Sequence, residues 1–224
     1  MSEVIITVRG EHGAWFDAER ATLSIGIAHD GPTREPVVQA TTRVAAEVTA
    51  ALAELHDPGR GPVTRWSSDH VRVWSQRPWN DAGAQLPPVC HAAIGATARF
   101  SDVEVLAAFV ERFAATEGVT IQGVEWDLTS ARRDAVVAEV RTAAVADAVA
   151  KARVFARAAG LGEPSPIAIA DPGMLGDASG GAPAAPMALA RAGTAFAADT
   201  AAPLSLTPDR IEVRAAVDAR FRVS

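Results

Sequence analysis

The residues from Ile211 to Val223, Ile-Glu-Val-Arg-Ala-Ala-Val-Asp-Ala-Arg-Phe-Arg-Val, constrain this chain more than any other stretch. Ile211, Val213, Ala215, Val217, Ala219, Phe221 and Val223 fall on one side; Arg210, Glu212, Arg214, Asp218, Arg220 and Arg222 fall on the other. Strand side chains alternate with period two, so the pattern predicts one long strand with a dry face and a wet face. A loose Ala/Gly/Pro-rich stretch, 172–207, precedes it and is expected to be flexible. The chain therefore wanders off and then returns to complete a sheet.

The same reasoning lays out the rest. Val4, Ile6 and Val8 predict a first strand, Gly10 to Gly13 a turn, and Ala21, Leu23, Ile25 and Ile27 a second strand. Thr33 is placed to cap a helix reaching about His56, with Val37, Thr41, Val44, Val48, Leu52 and Leu55 as its buried stripe. A third strand is expected from Val63 to about Ser75, a Pro/Gly/Asn-rich excursion from Pro78 to Pro88, and a fourth strand over Val89 to Phe100. Ser101-Asp-Val-Glu104 fits a capping box opening a helix with Leu106, Val110 and Phe113 inward. A fifth strand over Thr120 to Leu128 leads to a long Ala-rich helix from Ser130 to about Ala159, then a sixth strand over Pro166 to Ala170. Strands adjacent in sequence without an intervening helix pair antiparallel. The fold class expected is α+β: mixed or antiparallel sheet with helices layered on one face. One domain over 1–224 is expected, with a possible division into two small α+β subdomains near 80–88.

Apolar residues make up 49% of the 224, enough for a globular core. The net charge of −6 disfavours a nucleic-acid face, which needs clustered basic residues. Lys151 is the only lysine, and Cys90 the only cysteine, so no intramolecular disulfide can form. No run is long and apolar enough to cross a membrane, and the N-terminus lacks a secretory pattern, so a cytoplasmic chain is expected.

Several constellations invite chemistry. Ser68, Asp69 and His70 are consecutive, but on a regular strand Asp69 points away from the other two, so they make no triad. Cys90 and His91 likewise face opposite sides, which leaves Cys90 as a small core residue. His12, His29, His56, His70 and His91 show no helical pairing suited to a metal. Glu125 and Asp127 share a strand face at a spacing that suits paired carboxylates, and equally a solvated face. The alternation puts Trp66, Ser68, His70, Arg72 and Trp74 on one face, with Trp79 in the following loop. Trp and Arg on a partly polar face is the composition of interface hot spots, and also of a second core layer.

The chain resembles the SIMPL domain family. The residues that carry this are Ile5-Ile-Thr-Val-Arg-Gly-Glu11, Ala21-Thr-Leu-Ser-Ile-Gly26, Gly31-Pro-Thr-Arg-Glu35 and Ile121-Gln-Gly-Val-Glu-Trp-Asp-Leu128. Val149-Ala-Lys-Ala-Arg153 in the long helix and Pro208-Asp-Arg-Ile-Glu-Val-Arg-Ala-Ala-Val217 complete the match. The resemblance implies bacterial relatives that form ring- or channel-like oligomers, an animal relative that is a kinase-associated adaptor, and no catalytic motif. The expectation is a non-catalytic bacterial protein that self-associates, with Trp66, Arg72, Trp74 and Trp79 as interface residues and no cofactor, metal or nucleic acid. The alternative is a small-ligand-binding protein or hydrolase using a cleft between the α+β layers, with His70, His91, Glu125 and Asp127 as its polar residues.

Overall fold

In the computed structural model the described residues are 3–175, 193–194 and 206–224, so most of the expected flexible stretch 172–207 lies outside them. The elements are β1 (Val4–Asp17), β2 (Arg20–Gly31), α1 (Arg34–Glu54), β3 (Val63–Ser68), β4 (Arg72–Gln76), β5 (Val89–Phe100), α2 (Val103–Ala114) and β6 (Val119–Asp127), followed by α3 (Ser130–Ala158), β7 (Ser165–Ala170), the two-residue β8 (Gly193–Thr194) and β9 (Arg210–Val223). Every strand pair within the sheets is antiparallel. The fold is α+β.

Two compact units emerge. The first comprises Met1–Asp17, Leu128–Arg191 and Arg210–Ser224; the second comprises Ala18–Asp127 and Ala192–Asp209. The excursion at 80–88, where a division was expected, lies inside the second unit.

In the first unit β9 is the central strand of a sheet ordered β1-β9-β7. It pairs with β1 without a break, from Val4 opposite Val223 to Asp17 opposite Arg210. All seven apolar residues of its dry face are buried. The wet face is a ladder of ion pairs: Arg9 with Asp218 at 2.7 Å, Arg210 with Asp17 at 3.1 Å and Arg214 with Glu212 at 2.6 Å. The expected turn at Gly10 to Gly13 does not occur, because β1 runs straight through it. Gly10 serves instead for close approach. A methyl built there would lie 2.6 Å from the Ala148 amide nitrogen and closer still to the Ala144 carbonyl. Val136, Val140, Ala144, Ala148, Ala152 and Ala156 form the buried row of α3, and its small side chains let the helix backbone approach the sheet.

The only lysine in the chain has a defined place. Lys151 Nζ lies 2.8 Å from Asp147 one helical turn away, and donates to the Arg9 carbonyl at 2.9 Å. Asp147 in turn accepts from the Glu11 amide at 2.8 Å. Two backbone groups of β1 are thus satisfied by a helix rather than by another strand, one of the ways an edge is protected from pairing. The hydrogen bond from Lys151, helped by the Glu11 amide, holds the Asp147 carboxyl below the usual range.

The second unit is a sheet ordered β3-β5-β2-β6-β8, with β4 also paired to β5. Leu23, Ile25, Ile27, Ala96, Ala98 and Phe100 lie under α1 and α2, packed against Val48, Leu52, Leu106 and Phe109. The cap of α2 is Asp102 rather than Ser101. Its carboxylate accepts from the Glu104 and Val105 amides, while the Ser101 hydroxyl donates to the Pro62 carbonyl. One carboxylate oxygen of Asp102 accepts both amides, and the Ser101 hydroxyl is turned to Pro62 instead.

The expected third strand is two pieces. Ser67 lies opposite Thr97 and Ser68 opposite Ala96, whereas Arg72 lies opposite Ala93. The Asp69 amide still bonds to the Gly95 carbonyl at 2.8 Å. Three steps along 69–72 therefore span two along β5, one residue too many, which is a bulge. An extra residue reverses the alternation of everything beyond it.

Candidate functional site

That reversal builds the site. On β5 the even-numbered residues from Ala92 to Phe100 face the helices, so His91, Ala93, Gly95, Thr97 and Arg99 line the opposite face. Trp66 pairs across from Ala98, and so packs partly buried against the helix-side core. Trp74 pairs across from His91, on the face away from α1 and α2. The expectation that Trp66, Ser68, His70, Arg72 and Trp74 share one face is therefore corrected, since it assumed an unbroken strand. One tryptophan belongs to the core layer and the other to the surface.

Trp74 is fixed on both counts of chemistry it offers. Its ring stacks on His91 with centroids 5.1 Å apart and planes 18° from parallel. The Arg72 guanidinium carbon lies 5.2 Å from the ring centroid, within cation–π range. Trp74 as a residue remains 39% exposed. Trp79, at 67%, stands on the loop after β4, a tight turn in which the Asn80 side chain accepts from the Ala84 amide at 2.8 Å.

Beside this shelf runs a groove of about 540 Å³ across the middle of the sheet. Its floor is Gly26 and Gly95, which are direct cross-strand partners, continued by the Ala28–Ala93 pair. Asp69, His70 and Arg72 form one wall, and Thr120 and Gln122 the other. The bulge brings Asp69 and His70 to the same groove, against the expectation that they point to opposite sides. Ser68 does not line it, so no triad forms. The Asp69 carboxylate lies flat over Gly95, where a methyl would come within 2.5 Å of its Oδ2. The Gln122 amide lies the same way over Gly26, at 2.6 Å from the corresponding point. Glycine at both positions is what lets these polar groups settle onto the sheet.

The four polar residues expected to share a cleft do not all meet. His70 lines the groove, His91 is taken up in the Trp74 stack, and Asp127 is ion-paired to Arg20 at 2.9 Å. Glu125 stands opposite Thr22, outside the groove lining. Asp69, Thr120, Gln122 and the two glycines were not anticipated. Their signal in the sequence is a glycine in the interior of each of two otherwise regular strands, at Gly26 and Gly95. No group of three or more metal-ligating side chains occurs among the described residues. None of the described helices is long and apolar enough to cross a membrane.

Residues 6–221 match the SIMPL family, described as a protein of unknown function (DUF541). The match spans almost the whole chain, and the chain belongs to this family. No curated protein matches it.

Proposed function

We propose that this SIMPL-family chain is a non-catalytic interaction protein that associates with copies of itself through the shelf formed by Arg72 and Trp74, with Trp79 beside it in sequence. The observation that carries this reading is the half-exposed Trp74 ring held between fixed neighbours, Arg72 and His91. A large ring ordered before binding loses little further entropy on contact, and Trp and Arg supply most of the energy at protein interfaces. In a two-fold contact the same patch meets itself, so Arg72 of one copy would face Trp74 of the other.

The sheet edges offer a poorer route. Part of the β1 edge is engaged by Asp147 and Lys151, the β3–β4 edge is broken by its bulge, and β7 carries Pro166 and a register shift. Each of these discourages strand addition. These three edges are therefore poorer contacts than the Trp74 face.

The test is light scattering after gel filtration. The chain is expected to run above monomer mass at roughly tens of micromolar, and Trp74→Ala to weaken association by about 2 kcal/mol, some thirtyfold. A strict monomer, or an assembly indifferent to Trp74→Ala, overturns the reading.

A further inference from the structure

The groove carries two opposite charges on one wall that do not meet. Asp69 and Arg72 both line it, yet no ion pair joins them, and Arg72 rests on Trp74 instead. Among the described residues His70, Thr120 and Gln122 also make no side-chain hydrogen bond. The backbones of both residues are held by β5. Asp69 is tied through its amide to Gly95, and Arg72 sits across from Ala93. Gly95 and Ala93, the backbone partners of the two residues, are two positions apart on one strand, roughly 7 Å. A free amino acid carries an ammonium and a carboxylate on one small frame, the two charges that Asp69 and Arg72 complement. The floor of Gly26, Ala28, Ala93 and Gly95 carries no side chain larger than a methyl, and the Asp69 carboxylate and Gln122 amide lie over its two glycines. Thr120 and Gln122 offer a hydroxyl and an amide from the opposite wall.

We propose that this groove binds a small zwitterion, a free amino acid or close analogue, with its ammonium on Asp69 and its carboxylate on Arg72. His70, beside them, is a second donor for the carboxylate. The site shares Arg72 with the self-association shelf, but its ammonium anchor, Asp69, lies outside that shelf.

Calorimetric titration of the full chain with the proteinogenic L-amino acids tests this, followed by the N-acetyl and carboxamide forms of the best one. Saturable binding is expected at about 1 mM or tighter, weakened at least about tenfold by blocking either charged end. Asp69→Asn is expected to weaken it by a similar factor while leaving the mass by light scattering unchanged. Gly95→Ala, which displaces the Asp69 carboxylate, is expected to do the same. The absence of saturable heat with every amino acid overturns the proposal. So does equal binding of the blocked forms, which needs no variant to fold. Trp74→Ala, read by mass on the same samples, shows separately whether the self-association reading has failed.

Discussion

At the scale of single residues, Asp218 ties together three parts of the first unit. Asp218 accepts from Arg9 across the β1–β9 pair and from the Gly173 amide at 2.7 Å. The bond from Arg9 is the main cause that holds its carboxyl below the ordinary range, against the opposing effect of burial. A carboxyl whose folded value lies below its unfolded value of about 3.9 contributes stability that is complete above that value. The contribution is lost as pH falls through the lower, folded value. Urea midpoints measured down an acid series are therefore expected to drop below about pH 4. Asp218→Asn should lower the midpoint at neutral pH and flatten its fall in acid. An acid limb as steep in the variant as in the parent would show that Asp218 plays no such part. The charge alternation of β9 made an interrupted arginine face legible in advance. The pairing of each arginine with a particular acid was not, because it depends on which strand lies alongside.

Among the elements, the contact between β1 and α3 is the tightest fit. Gly10 lies under Ala144 and Ala148 with no room for a methyl. Gly10→Ala must push the helix off the strand, and overpacking costs about 1–3 kcal/mol, with backbone atoms this close placing it at the upper end. The expected result is a fall of that size in unfolding free energy, with the loss concentrated in amide exchange protection of β1 and α3. A variant as stable as the parent would mean that the helix can shift freely. Element type and order were readable from periodicity, and the bounds of β5 coincide with those expected. The turn expected at Gly10 shows where such reading stops. A glycine looks the same in a sequence whether it bends the chain or admits a neighbour. The bulge at 69–71 shows it again, since alternation can be extrapolated only through a regular strand.

For the molecule as a whole, the last strand decides whether the first unit exists. β9 lies between β1 and β7, and it buries Val213, Ala215, Val217, Ala219, Phe221 and Val223. Deleting 210–224 removes the centre of that sheet and leaves β1 and β7 with no strand between them. The second unit keeps Ala18–Asp127 and its own core around Leu23, Ile25, Phe100 and Leu106. The truncated chain is expected to lose exchange protection in β1, α3 and β7 while retaining it in β2, β5 and β6. Uniform loss throughout would show that the two units fold only together.

What the sequence determined by itself is what depends on neighbours along the chain. The period-two and helical stripes, the α+β class, the return of the C-terminal strand and the family all lie in local pattern and order. The tertiary structure alone decided which residues meet. A single extra residue at the bulge turned Trp74 outward, left Trp66 inward and brought Asp69, His70 and Arg72 to one groove. The physical reason is that side-chain direction along a strand is a running count, and the count is reset wherever the pairing partner, not the chain, determines the register.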